Sequence, residues 1–114
     1  MAGTETIEQV KERIQEVDPA EAREELAKGD VALVDTREPN EYIEAHIDGA
    51  ELIRPVDVAA RIEEVVPDPS QRVLLYCASG NRSARAADEL RELGYENTAS
   101  VRGGIKAWEA EGLP

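Results

Sequence analysis

Two short runs of the chain are apolar at nearly every position, VALVD at 31–35 and RVLLYC at 72–77. Runs of this length, rich in Val and Leu, predict strands covered on both faces, as in a parallel sheet. Elsewhere the apolar positions recur at intervals of three and four. In DVAARIEEVV, Val58, Ile62, Val65 and Val66 predict a helix with those side chains inward. Positions 82–93 predict another helix, burying Ala86, Leu90 and Leu93 and closed by Gly94. Along the opening segment Ile7, Val10, Ile14 and Val17 keep helical spacing, and Thr6 with Gln9 has the form of a capping box. Asp18 before Pro19 starts a second helix, with Glu21 at the reciprocal capping position and Gly29 as its stop. TREPN ends the first strand, and EYIEAH supplies a short helix. GAELI holds a brief strand, PDPS a loop, TASV a further strand and GIKAWEAE a final helix. Strands alternating with helices predict a parallel sheet with helices on both faces and right-handed crossovers. In such sheets ligands bind beyond the carboxyl ends of the strands.

The chain has 114 residues, the length of one domain with a modest core. It has no Phe, three Tyr and one Trp, so the core is expected to be built from Val, Ile, Leu and Ala. The net charge of -12 repels phosphate backbones and anionic lipid heads, which argues against nucleic acid or membrane partners. No stretch reaches the roughly 20 apolar residues that span a bilayer. The opening lacks the apolar centre of a signal peptide, and a cytoplasmic location is expected. One Cys and one His leave no internal disulfide, no multi-cysteine zinc site and no histidine cluster. No metal and no cofactor are expected.

That one cysteine, Cys77, stands where the strand ends, and six small or polar residues follow it, the last two of them opening the predicted helix. A free thiol with its pKa near ~8.5 is mostly protonated at neutral pH. A strand-loop-helix turn can change this. The amides of Ala78, Ser79, Gly80, Asn81 and Arg82 can curl around the sulfur, and the following helix turns its positive end toward it. Gly80 permits backbone angles that a side chain obstructs. Arg82 adds a positive charge, and Ser83 offers a hydroxyl that either caps the helix or bonds the substrate, capping being the simpler role. These features predict a depressed thiol pKa. The competing reading is a cysteine that merely packs well in the core.

The stretch CASGNRS, Cys77 to Ser83, resembles the active-site loop of single-domain rhodaneses, the rhodanese-like sulfurtransferases. LVDTREPNEYIEAHIDGA at 33–50 is similar to that family's D-x-R…E-[FY]…G-H-I-x-G-A signature, and GGIKAW at 103–108 to its closing G-G-x-x-A-W element. The resemblance covers about 17–113. It implies an α/β, three-layer fold with a central five-stranded parallel sheet flanked by helices, over residues 17–114, preceded by an N-terminal helical extension at 1–16. It also implies sulfane sulfur transfer through a Cys77 persulfide, with Ala78, Ser79, Gly80, Asn81, Arg82 and Ser83 binding the substrate. The donor would be thiosulfate or a persulfide, and the acceptor a thiol, cyanide or a protein. The alternative is a sulfur-carrier or protein-docking module without turnover. Ala45 and Asp48 depart from the family pattern, and the uncharged Ala78, Ser79 and Asn81 argue against thiosulfate as the natural donor. Phosphatases of the same fold carry five residues between Cys and Arg; here there are four. Among the other residues, Arg37 is expected to form an ion pair with a nearby carboxylate such as Glu41, and His46 to bond a loop carbonyl. Trp108 is expected to anchor the last helix, and Gly103 with Gly104 to form a tight turn beside the pocket.

Overall fold

A computed structural model describes residues 5–114. The elements run α1 (Ile7–Lys11), β1 (Gln15–Val17), α2 (Pro19–Lys28), β2 (Val31–Asp35), α3 (Pro39–Glu44) and β3 (Glu51–Leu52). A 3-10 turn at Pro55–Asp57 leads into α4 (Val58–Val65), followed by β4 (Arg72–Tyr76), α5 (Asn81–Glu92), β5 (Thr98–Val101) and α6 (Gly104–Ala110). The five strands form one sheet in the order β1-β5-β4-β2-β3, every pair parallel.

The period-two alternation of strand side chains divides the core into two layers. Leu33, Leu74, Tyr76, Ala99 and Val101 pack with Ala22, Ile105 and Trp108, beneath α2 and α6. Val34, Val73 and Leu75 pack with Val58, Ile62, Ala86 and Leu90, beneath α4 and α5. The two central apolar runs are therefore buried on both sides, as their composition predicts.

Three local expectations need correction. The helical spacing of the opening does not continue to Val17: α1 ends at Lys11, and Gln15–Val17 extend as an edge strand on β5. Without it β5 would present a row of unpaired backbone groups, and Val17 buries in the α2/α6 layer only as part of the sheet. The short α1 packs on α5, fastened by Arg13 to Asp88 at 2.8 Å. Leu93 is 52% exposed rather than inward. It is the C-cap of α5, and Tyr95 takes the core position, its hydroxyl donating to the Val66 carbonyl at 2.6 Å. Val65 is half-buried, leaving Val66 as the inward residue at that end of α4.

Arg37 does form an ion pair with a nearby carboxylate, and the partner is Asp35 rather than Glu41. Its guanidinium donates to both Asp35 oxygens, at 2.9 and 2.6 Å, and also to the Ala45 carbonyl at 2.7 Å. Asp35 is fully buried, so the nearest cation of fork geometry satisfies it. The pair links the end of β2 to the segment after α3. Arg37→Ala removes one partner of a buried pair and leaves a carboxylate stranded, so denaturant titration should show a loss of about 3–5 kcal/mol.

Candidate active site

Cys77 is the first residue beyond β4, which lies between β2 and β5, so the thiol sits at the carboxyl end of the sheet's centre. The strand end is pinned from one side by Thr36, whose amide and hydroxyl both donate to the Tyr76 carbonyl, at 2.8 and 3.0 Å. From the other side the start of α6 holds the loop. The Ile105 amide donates to the Cys77 carbonyl at 2.9 Å and the Lys106 amide to the Ala78 carbonyl at 3.1 Å. Gly104, at φ 60°, makes this approach possible: a Cβ there would lie 2.6 Å from the Ala78 carbonyl carbon and oxygen and collide with the Cys77 carbonyl. The GG pair thus does border the site.

With its backbone fixed from both sides, the loop turns at Gly80, at φ 104°, and enters the 12-residue helix α5. The Gly80 amide donates to Cys77 Sγ at 3.1 Å, and the Ser83 hydroxyl lies 3.5 Å from the same sulfur. Cys77 is 1% exposed. Burial pushes its thiol up. The Ser83 hydroxyl, with the amides of Ser83, Gly80 and Ser79, outweighs burial, and the net result is a pKa below that of an ordinary cysteine. The site is a buried sulfur with donors aimed at it.

A family model for the rhodanese-like domain matches residues 18–111. The chain belongs to the rhodanese-like family. It is 38% identical over 91 residues to the thiosulfate sulfurtransferase GlpE of Pseudoalteromonas translucida, covering 80% of this chain and 85% of that one. To the probable adenylyltransferase/sulfurtransferase MoeZ of Mycobacterium tuberculosis it is 37% identical over 100 residues, which is 86% of this chain but only 25% of the length of MoeZ. A solved Rhodopseudomonas palustris protein of unknown function, described as a possible tyrosine phosphatase, superposes with a TM-score of 0.84 at 27% identity, over 97% of this chain and 94% of that one.

In this rhodanese-like domain the loop residues separate by what they touch. Gly80 and Ser83 reach the sulfur, and the Ser79 amide also favours its ionised form. Ala78 uses its carbonyl to hold α6, and Asn81 opens α5 with an exposed side chain. Arg82 is committed elsewhere, donating to both oxygens of Glu41 at 2.9 and 3.0 Å. That ion pair holds the Glu41 carboxyl down at about 2, against the opposing effect of burial. It raises Arg82 more than Cys77 does. Arg82 therefore joins α3 to the start of α5, and the sulfur draws mainly on neutral donors. Ser83 does not cap α5, whose N-cap is Gly80 and has no side-chain cap bond. Its hydroxyl lies between Cys77 Sγ and Ser100 Oγ, the latter at 2.8 Å.

Ser100 was not singled out from the sequence. The signal was present in TASV, where a polar residue alternates with Ala99 and Val101 and so faces the α5 side of a strand covered on both faces. His46 is structural: its Nδ1 donates to the Tyr42 carbonyl at 2.9 Å, and its ring stacks on Tyr42 with centroids 3.8 Å apart. Trp108 is buried under α6, its indole N–H donating to the Pro114 carbonyl at 3.0 Å.

Proposed function

We propose that this rhodanese-like domain is a sulfurtransferase that works through a persulfide on Cys77. The Cys77 thiolate gives an electron pair to the outer sulfur of a sulfane donor. The donor's S–S bond breaks and its electrons leave with the remnant, as sulfite from thiosulfate or as a thiolate from a persulfide. In the second half an acceptor thiolate or cyanide attacks the outer sulfur of the loaded cysteine, and Cys77 departs as the thiolate that its loop favours. In this reading no general base is required, because the hydrogen-bond donors favour the anion over the thiol. The carrying observation is the convergence of the Gly80 amide and the Ser83 hydroxyl on Sγ at the carboxyl end of β4.

A phosphatase reading fits the loop less well. Four residues separate Cys77 from Arg82, and the Gly80 amide closes directly on the sulfur, whereas a tetrahedral oxyanion needs a wider ring of amides. Arg82, the cation such a ring would use, is held by Glu41. The net charge of -12 disfavours nucleic acid, and among the described residues no helix is long and apolar enough to cross a membrane. A nucleophilic free thiol suits a reducing compartment such as the cytoplasm.

Intact mass spectrometry tests the function. After incubation with thiosulfate or a low-molecular-weight persulfide, the chain should gain one sulfur atom, and cyanide should remove it as thiocyanate. A chain that gains no mass from any such donor is a docking module rather than a transferase. A chain that loads but passes sulfur on only to another protein is a carrier.

A further inference from the structure

Ser83 and Ser100 come from α5 and β5, and both side chains are fully buried. Ser100 Oγ makes one hydrogen bond among the described residues, the 2.8 Å contact with Ser83 Oγ, and Ser83 Oγ is also 3.5 Å from Cys77 Sγ. Each hydroxyl has one proton to place. If Ser83 gives its proton to Ser100, the sulfur loses its hydroxyl donor and the Ser100 proton has no acceptor. If Ser100 gives its proton to Ser83, the Ser83 proton falls to the sulfur and both protons are used. An ionised sulfur can only accept, so it selects the second arrangement.

We propose that Ser100 is a positioning residue that, through Ser83, holds a hydroxyl proton on the Cys77 sulfur. The proposal rests on the reading of Cys77 as the nucleophile. The relay has a reversed form when the sulfur is protonated, with the thiol donating to Ser83 and Ser83 to Ser100. That form lacks charge assistance and is weaker, so the pair of serines favours the anion over the thiol. Hydrogen bonds in a chain polarise one another, and burial keeps water from replacing Ser100 as the second donor. Ser100 Oγ makes no hydrogen bond to the sulfur itself, only to Ser83 Oγ. It acts on one rotor, and that rotor acts on the nucleophile.

A double-mutant cycle on Cys77 ionisation reads this directly, using the thiolate's ultraviolet absorbance in the intact chain. Ser83→Ala should raise the apparent pKa by about one unit, and Ser100→Ala by about half a unit. The double variant should titrate like Ser83→Ala alone, because Ser100 has no other route to the sulfur. Ser100→Thr restores a hydroxyl at the same place and should bring the titration back toward the parent. A Ser100→Ala chain titrating like the parent, shifts that simply add, or a Thr variant that behaves like Ala would each overturn the relay. The titration needs no donor and no turnover. It can therefore fail while Cys77 still takes up sulfur, or succeed where no sulfur is taken up.

Discussion

Cys77→Ser should leave the chain folded and abolish its sulfur loading. The serine hydroxyl is close in shape to the thiol and can accept the same Gly80 amide, and the position lies at a strand end rather than inside a packed layer. The stability change should stay within about 1 kcal/mol. Chemistry does not survive the exchange. A hydroxyl stays protonated in this environment, and the site offers no adjacent base to activate it. His46, the chain's one histidine, has its Nδ1 bound to the Tyr42 carbonyl. Thiocyanate formation from a sulfane donor and cyanide should fall to the uncatalysed background, while thermal unfolding remains near that of the parent. Residual transfer by the variant would place the reacting group elsewhere.

The second large effect lies at a residue with no chemistry of its own. Gly104→Ala introduces a Cβ against the Ala78 carbonyl at 2.6 Å, at a φ of 60° that itself costs a residue with a side chain about 1–2 kcal/mol. The atoms it meets are backbone, so no side chain can swing aside. Thr36 holds the end of β4 and Gly80 begins α5, so relief must come from shifting either α6 or the Cys77 loop. Both shifts break the Ile105 and Lys106 amide bonds that fix the loop carbonyls. A displacement near 1 Å at a reacting centre costs on the order of 10²-fold in rate. Thiocyanate production per loaded chain should drop by about that factor, with a smaller drop in melting temperature. A variant that melts early yet turns over normally would show that the α6 clamp is structural only.

The fold was legible because its strongest signals are local. VALVD and RVLLYC read as doubly covered strands, and α4 and α5 as amphipathic helices, since burial on both faces or on one stripe leaves its mark in the order of residues. The opening segment misled because its spacing satisfied two periods at once. The choice was made by the free edge of β5, more than eighty positions along the chain. The carboxylate partner of Arg37 was not fixed by the order of residues for a related reason. Arg37, Asp35, Glu41 and Arg82 were all visible, but the partner of each follows from depth: the fully buried Asp35 takes the guanidinium two residues away, which frees Glu41 to reach Arg82 across the loop. In the site, the motif located Cys77 and Gly80. That Ser83 faces the sulfur rather than its helix end, and that Ser100 stands behind it, depends on how α5 lies across β5.

Direct titration of the Cys77 thiolate in the unmodified chain bears most closely on the whole account. A sulfur that is 1% exposed and lacked directed donors would ionise later than a free cysteine, because burial disfavours the anion. The Gly80, Ser79 and Ser83 donors should reverse that order, so the ultraviolet thiolate signal should rise at a lower pH than that of an unstructured cysteine peptide, and the rate of sulfur loading should level off over the same pH range. A midpoint at or above that of the peptide would mean that burial wins, and that the loop encloses a packed thiol rather than a nucleophile.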